Sequence, residues 1–166
     1  MTYSRFEELP VWQEALRLAD EVYNMTEQKD WPGSRSLRDQ LERAALSVSN
    51  NIAEGFERGT TNELLAFLYI ARGSAGEVRS MLCFLERREG YAHFKSKISD
   101  LKSSAESCSR QVRAWADHLQ NSDIQGQRHL NEKTRSGFRS KNDAEEFQKE
   151  LRELLPPDHP LRKAEK

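Results

Sequence analysis

Apolar residues recur at steps of three and four along most of the first 120 positions, and that rhythm divides the chain into four segments. Trp12, Ala15, Leu16, Ala19, Val22, Tyr23 and Thr26 form the first set. Leu37, Leu41, Ala44, Ala45, Val48, Ile52, Gly55 and Phe56 form the second. The third comprises Leu64, Phe67, Leu68, Ala71, Ala75, Val78, Leu82 and Leu85. In the fourth, Phe94, Ile98, Leu101, Ala105, Cys108, Val112, Trp115 and Leu119 alternate steps of four and three. At about 100° per residue each set falls on one side of a helix, the face that needs a core to pack against. No stretch alternates with a period of two, and no repeat recurs. The pattern predicts an all-α protein, an antiparallel up-down four-helix bundle.

Punctuation between the segments agrees. Pro10 suits a first helical position, where its missing amide proton costs nothing. Trp31-Pro32-Gly33-Ser34 separates the first two helices, with Ser34 or Ser36 as cap. Thr60-Thr61-Asn62-Glu63 reads as a capping box opening the third helix. Gly90 is expected to close that helix through a left-handed residue. The bundle thus covers residues 1–121. Residues 122–142 are polar and without period, the pattern of a linker. Residues 143–166 carry a short amphipathic helix and tail, in which Phe147, Leu151 and Leu154 lie on one stripe. A helix that short is marginal alone in water, so docking on its own bundle, a neighbouring subunit or a partner is expected.

The polar side of the second helix departs from an ordinary solvated surface. Arg43, Ser47, Asn50, Asn51, Glu54 and Arg58 share it. Ser and Asn are poorer helix formers than the Glu and Lys that usually fill exposed faces. The seam is therefore either a wet face or a surface buried between subunits. On the third helix Ile70, Ser74, Glu77, Met81 and Phe84 form a second, mixed stripe. Gly73, Ser74, Ala75 and Gly76 form a small-residue patch there. Each glycine costs up to about 1 kcal/mol of helix stability relative to alanine, which suggests close approach by another helix or a ligand.

Charge and composition narrow the chemistry. The 166 residues hold 26 Lys and Arg against 27 Asp and Glu, a net charge of −1 that offers no global attraction for a polyanion. From Asp30 to Phe94 all eight cations are arginines, the type suited to bidentate pairing with carboxylate or phosphate. Arg35, Arg38, Arg72, Arg79, Arg87 and Arg88 are the candidate nucleic-acid contacts, with a steep loss of affinity expected as salt rises. Cys83 and Cys108 lack metal-ligand spacing and read as reduced, mostly buried thiols. No Glu-x-x-His pair, phosphate loop or nucleophile elbow occurs. Glu54, Glu63 and Glu77 are the only acid–base candidates on paper. The sequence predicts no catalytic residue, cofactor or metal, no membrane span, and a cytoplasmic location.

FEELPVWQEA at 6–15 and LRDQLERAALSVSNNIAEGFERGTTNELLAFLYIARGSAGEV at 37–78 resemble the bacterial four-helix-bundle family of 23S rRNA intervening-sequence proteins. More distantly the chain is similar to the accessory protein of diversity-generating retroelements. The resemblance implies a non-enzymatic bundle protein that assembles as a homopentamer. It implies a binding or scaffold role beside RNA, DNA or a nucleic-acid enzyme such as a reverse transcriptase. In such a ring Arg43, Asn51, Glu54, Arg58 and Glu77 would pair within or across subunits. The second reading is a scaffold that recruits a protein through Phe147, Leu151 and Leu154, without nucleic-acid contact.

Overall fold

The computed structural model describes residues 3–121. The linker, tail helix and docking residues expected beyond 121, with His129 and His159, lie outside the described residues. Four helices follow one another: α1 (Pro10–Thr26), α2 (Arg35–Glu57), α3 (Thr61–Glu86) and α4 (Lys95–Gln120). Single 3-10 turns precede α1 (Phe6–Glu8) and α4 (Glu89–Phe94). Each helix packs on its sequence neighbours, and α1 closes the bundle against α4. Among the described residues there is no strand.

The N-termini form for the reasons their sequences suggest. Ser34 caps α2, its hydroxyl accepting the Leu37 amide at 3.3 Å. Thr60 caps α3, accepting the Glu63 amide at 3.3 Å while its hydroxyl donates to the Glu63 carboxylate at 2.7 Å. Pro10 stands at the first position of α1. The end of α3 differs from expectation. Gly90 does not provide a left-handed cap, and no described residue has positive φ. Instead the Arg87 amide reaches the Phe84 carbonyl at 3.2 Å and the Arg88 amide the Leu85 carbonyl at 2.9 Å. These tighter bonds satisfy the last carbonyls, so no reversal of handedness is needed.

The core runs the length of the bundle. Leu41, Val48 and Ile52 of α2 meet Leu64, Leu68, Ala71, Val78 and Leu82 of α3, all fully buried. Two stripes are displaced from the predicted ones. In α1 the buried set is Val11, Ala15, Leu18, Ala19, Val22, Met25 and Thr26, while Trp12, Leu16 and Tyr23 are half-buried at its margin. In α4 the heptad holds through Val112, after which Ala116 is buried and Trp115 and Leu119 are half-buried. A straight helix with 3.6 residues per turn drifts about 20° per heptad, and over three heptads that drift moves the core position on by one residue.

One close contact sets the α2–α3 spacing. Gly55 is buried, and a Cβ there would lie 2.7 Å from the Cβ of Phe67. The two backbones approach at that point because position 55 has no side chain.

Candidate functional site

The predicted polar seam lies along the α2–α3 groove, and the antiparallel run of the two helices sets its geometry. The Gln40 amide donates to Glu77 at 3.1 Å. The Ser74 hydroxyl donates to the Ser47 hydroxyl, also at 3.1 Å. Asn51 donates to the carbonyl and hydroxyl of Ser47 at 2.7 and 2.9 Å. Farther along, Arg58 pairs with Glu54 at 2.5 Å, and its guanidinium lies 5.0 Å from the centre of the Phe67 ring. Ser47, Asn51 and Ser74 are half-buried, whereas Arg43, Asn50, Glu54, Arg58 and Glu77 are exposed in the single chain. Short side chains fit because the helices are close, and each hydroxyl or amide on the groove wall finds a partner. The groove is therefore a polar ladder joining two helices, with charges along its outer lip.

Beside the ladder lies the second, mixed stripe of α3, to which Tyr69 adds a residue that the sequence pattern did not include. The outward side of α3 exposes Tyr69 at 46%, Ile70 at 51% and Phe84 at 51%. Gly73 and Gly76 lie between them, and a Cβ at either would meet no atom within 4 Å. Among the described residues nothing approaches Gly73 or Gly76 closely, whereas Ser74 and Ala75 of the same patch face the bundle and the tight glycine contact is at Gly55. The signal was present: Tyr69, Ile70 and Phe84 fall off the buried stripe by helical period. Among charged groups between Glu63 and Glu86, only Glu77 belongs to this side. Arg72 and Arg79 sit on the opposite flank, and Arg79 lies 3.9 Å from Glu106 of α4.

The arginines proposed as phosphate contacts do not form one patch. Arg38 bonds to Glu42 at 2.7 Å, and that bond first, then the carboxylate's charge, holds its guanidinium above the ordinary arginine value. Glu42 is buried and also receives the Thr26 hydroxyl at 2.5 Å, tying α1 to α2. Arg35 stands 3.8 Å from Asp39, and Arg88 lies over the Phe84 ring. Arg72 and Arg87 carry no ion pair among the described residues. A cavity of about 520 Å³ near the start of α2 is lined by Tyr23, Arg35, Ser36, Asp39, Glu42 and Arg43, cations and carboxylates together.

The carboxylates considered for acid–base work are each held separately: Glu54 by Arg58, Glu63 by Thr60 and Glu77 by Gln40. His93 lies 3.2 Å from Asp30. Among the described residues, no three side chains of His, Cys, Asp or Glu are grouped as a metal site, and no helix is long and apolar enough to cross a membrane.

The two thiols differ, which corrects the expectation that both are mostly buried. Cys108 is buried against the core, and burial pushes its pKa up to about 12, while Cys83 is exposed on α3. Since the Cys108 thiol holds its proton more tightly when folded, its contribution to stability is intact below the ordinary value of 9.0. It is lost as pH rises from there toward about 12. A thiol reagent at pH 8 should modify Cys83 rapidly and Cys108 only on unfolding. Two fast-reacting thiols in the native protein would contradict this packing.

The sequence profile of the family described as 23S rRNA-intervening sequence protein matches residues 7–114. Among solved structures, the chain is similar to a protein of unknown function from the S23 ribosomal protein family of Bacteroides thetaiotaomicron VPI-5482. The two share 20% identity and superpose with a TM-score of 0.56, over 64% of this chain and 97% of that one. At that identity the likeness speaks for the fold alone. Among curated proteins none matches the chain.

Proposed function

The chain belongs to the 23S rRNA-intervening sequence protein family, and we propose that it works as a non-enzymatic, multi-copy binding scaffold associated with nucleic acid or a nucleic-acid enzyme. The observation that carries the reading is the outward side of α3. A long helix that exposes Tyr69, Ile70 and Phe84 around two bare glycines offers a surface for protein. The groove beside it supports the same reading, since it presents short polar side chains with little conformational entropy to lose on contact. A homopentameric ring, as the resemblance implies, uses such heterologous faces on every copy. Nucleic acid, if bound, meets the assembled form, where the scattered arginines of several copies add together.

Sedimentation and native mass spectrometry of the full chain test the assembly. A single oligomer, with five copies as the expected number, supports the reading; a monomer at micromolar concentration overturns it. Arg43→Ala or Glu54→Ala should weaken assembly, read as dissociation of the oligomer at a higher protein concentration, more than it weakens helix content. A gel shift with structured RNA and DNA tests the association: a complex whose affinity falls steeply between 50 and 200 mM salt is expected. A salt-insensitive or absent shift would remove the nucleic-acid half of the proposal.

A further inference from the structure

Resting on that assembly reading, we propose that the outward stripe of α3 seats α2 of a second copy, with Arg43 of one chain set against Glu77 of the next. The register follows from heights along the bundle. Because α2 and α3 are antiparallel, residues that bond across their groove stand level, as Gln40 does with Glu77 and Ser47 with Ser74. A rotation axis running along the bundle, whatever its order, preserves height. A residue level with Glu77 in its own chain is therefore level with Glu77 of the neighbour. Arg43 lies between Gln40 and Ser47, within about one 5.4 Å turn of that level.

The charges fit this seating. Among the described residues the Arg43 Nε donates only to the Asp39 carbonyl, at 3.2 Å, and Arg43 makes no ion pair. Glu77 accepts the Gln40 amide and, among the described residues, likewise makes no ion pair. Both are exposed, and among the described residues neither has an opposite charge at ion-pair distance. Leu46, 37% exposed, lies one turn from Arg43 on the outer side of α2, and so joins the surface that would cover Ile70 and Phe84. Gly73 stands next to Ser74, level with Ser47, where an incoming helix needs the most room. A polyanion fits poorly at the middle of this stripe, where between Glu63 and Glu86 the charged side chain is Glu77.

Paired cysteines test the register. In the full chain carrying Cys83→Ser, Arg43→Cys and Glu77→Cys are made separately, co-expressed, purified as mixed oligomers and mildly oxidised. A covalent dimer is expected from the mixed sample at several times the yield of either variant alone. An Arg43–Glu77 pair confined to one chain cannot produce that product. Oligomers of unchanged mass without the mixed cross-link would overturn the register and leave the assembly reading intact. Monomers by sedimentation, for the chain without these changes, would remove both. As a second measurement, Arg43→Glu should weaken assembly at least tenfold, and adding Glu77→Arg in the same chain should recover most of it. Failure of the double variant to recover, with each protein folded by circular dichroism, counts against the pair.

Discussion

Replacing Leu82 with alanine should lower the free energy of unfolding by about 2–5 kcal/mol, the range for a fully buried leucine. Leu82 is fully buried in α3, the helix that packs against both α2 and α4. Removing its branched end deletes apolar contacts on two fronts and leaves a void that helices fixed on either side can only partly close. Urea unfolding followed by circular dichroism measures the effect as a shift in midpoint with little change in slope. Truncating half-buried Leu37 or Leu65 should cost less, since water already reaches part of each. A loss below about 1 kcal/mol for Leu82→Ala would mean that the centre of α3 is looser than its burial indicates.

Two glycines in adjacent helices should respond to alanine with opposite signs. In a helix interior alanine is favoured over glycine by about 1 kcal/mol. At Gly76 nothing opposes that gain, because the new methyl enters open space. Gly76→Ala should therefore raise the midpoint of unfolding of the isolated chain. At Gly55 the methyl would lie 2.7 Å from the Phe67 Cβ and 3.2 Å from Leu64 Cδ1. A Cβ cannot swing aside without moving its backbone, so α2 and α3 must separate. Overpacking of this kind costs about 1–3 kcal/mol and outweighs the propensity gain. Gly55→Ala should thus destabilise, and a thermal melt that rises for both variants would contradict the close approach. If a neighbouring copy seats on α3, Gly76→Ala should also weaken assembly even as it stabilises the chain.

The parts of the fold that period alone decides were legible in the sequence. The stripes of α2 and α3 are buried almost as read, because residues such as Leu41, Val48, Leu64 and Leu82 leave no doubt about which side is apolar. The α1 stripe was read one residue out of phase, since Trp12 and Tyr23 look like core residues. Large rings can lie at the margin with one edge wet, while smaller Val11, Leu18 and Met25 fill the centre. Gly90 was misread for a different reason. A glycine near a helix end suggests a left-handed cap, but whether the last carbonyls need it depends on how the next few residues turn.

At the candidate site the residue types were readable and their partners were not. Ser47, Asn51, Ser74 and Glu77 stood out as unusual choices for helix surfaces. That they join into one ladder depends on how α2 and α3 align, which no single-helix pattern contains. Gly73, Gly76 and Gly55 look alike in sequence, yet among the described residues Gly55 faces another helix and the other two do not. The difference is one of phase around α2 and α3. The buried Glu42, shared by Thr26 and Arg38, was likewise invisible, because a lone glutamate in a helix usually faces water.

The link of Arg58, Gly59 and Thr60 between α2 and α3 bears on how the molecule acquires its shape. So short a connection holds α2 and α3 near each other even in the unfolded chain, and the loss of chain freedom on bringing them together is small. Contacts between them are close in sequence, which places the bundle among fast folders, in the microsecond-to-millisecond range.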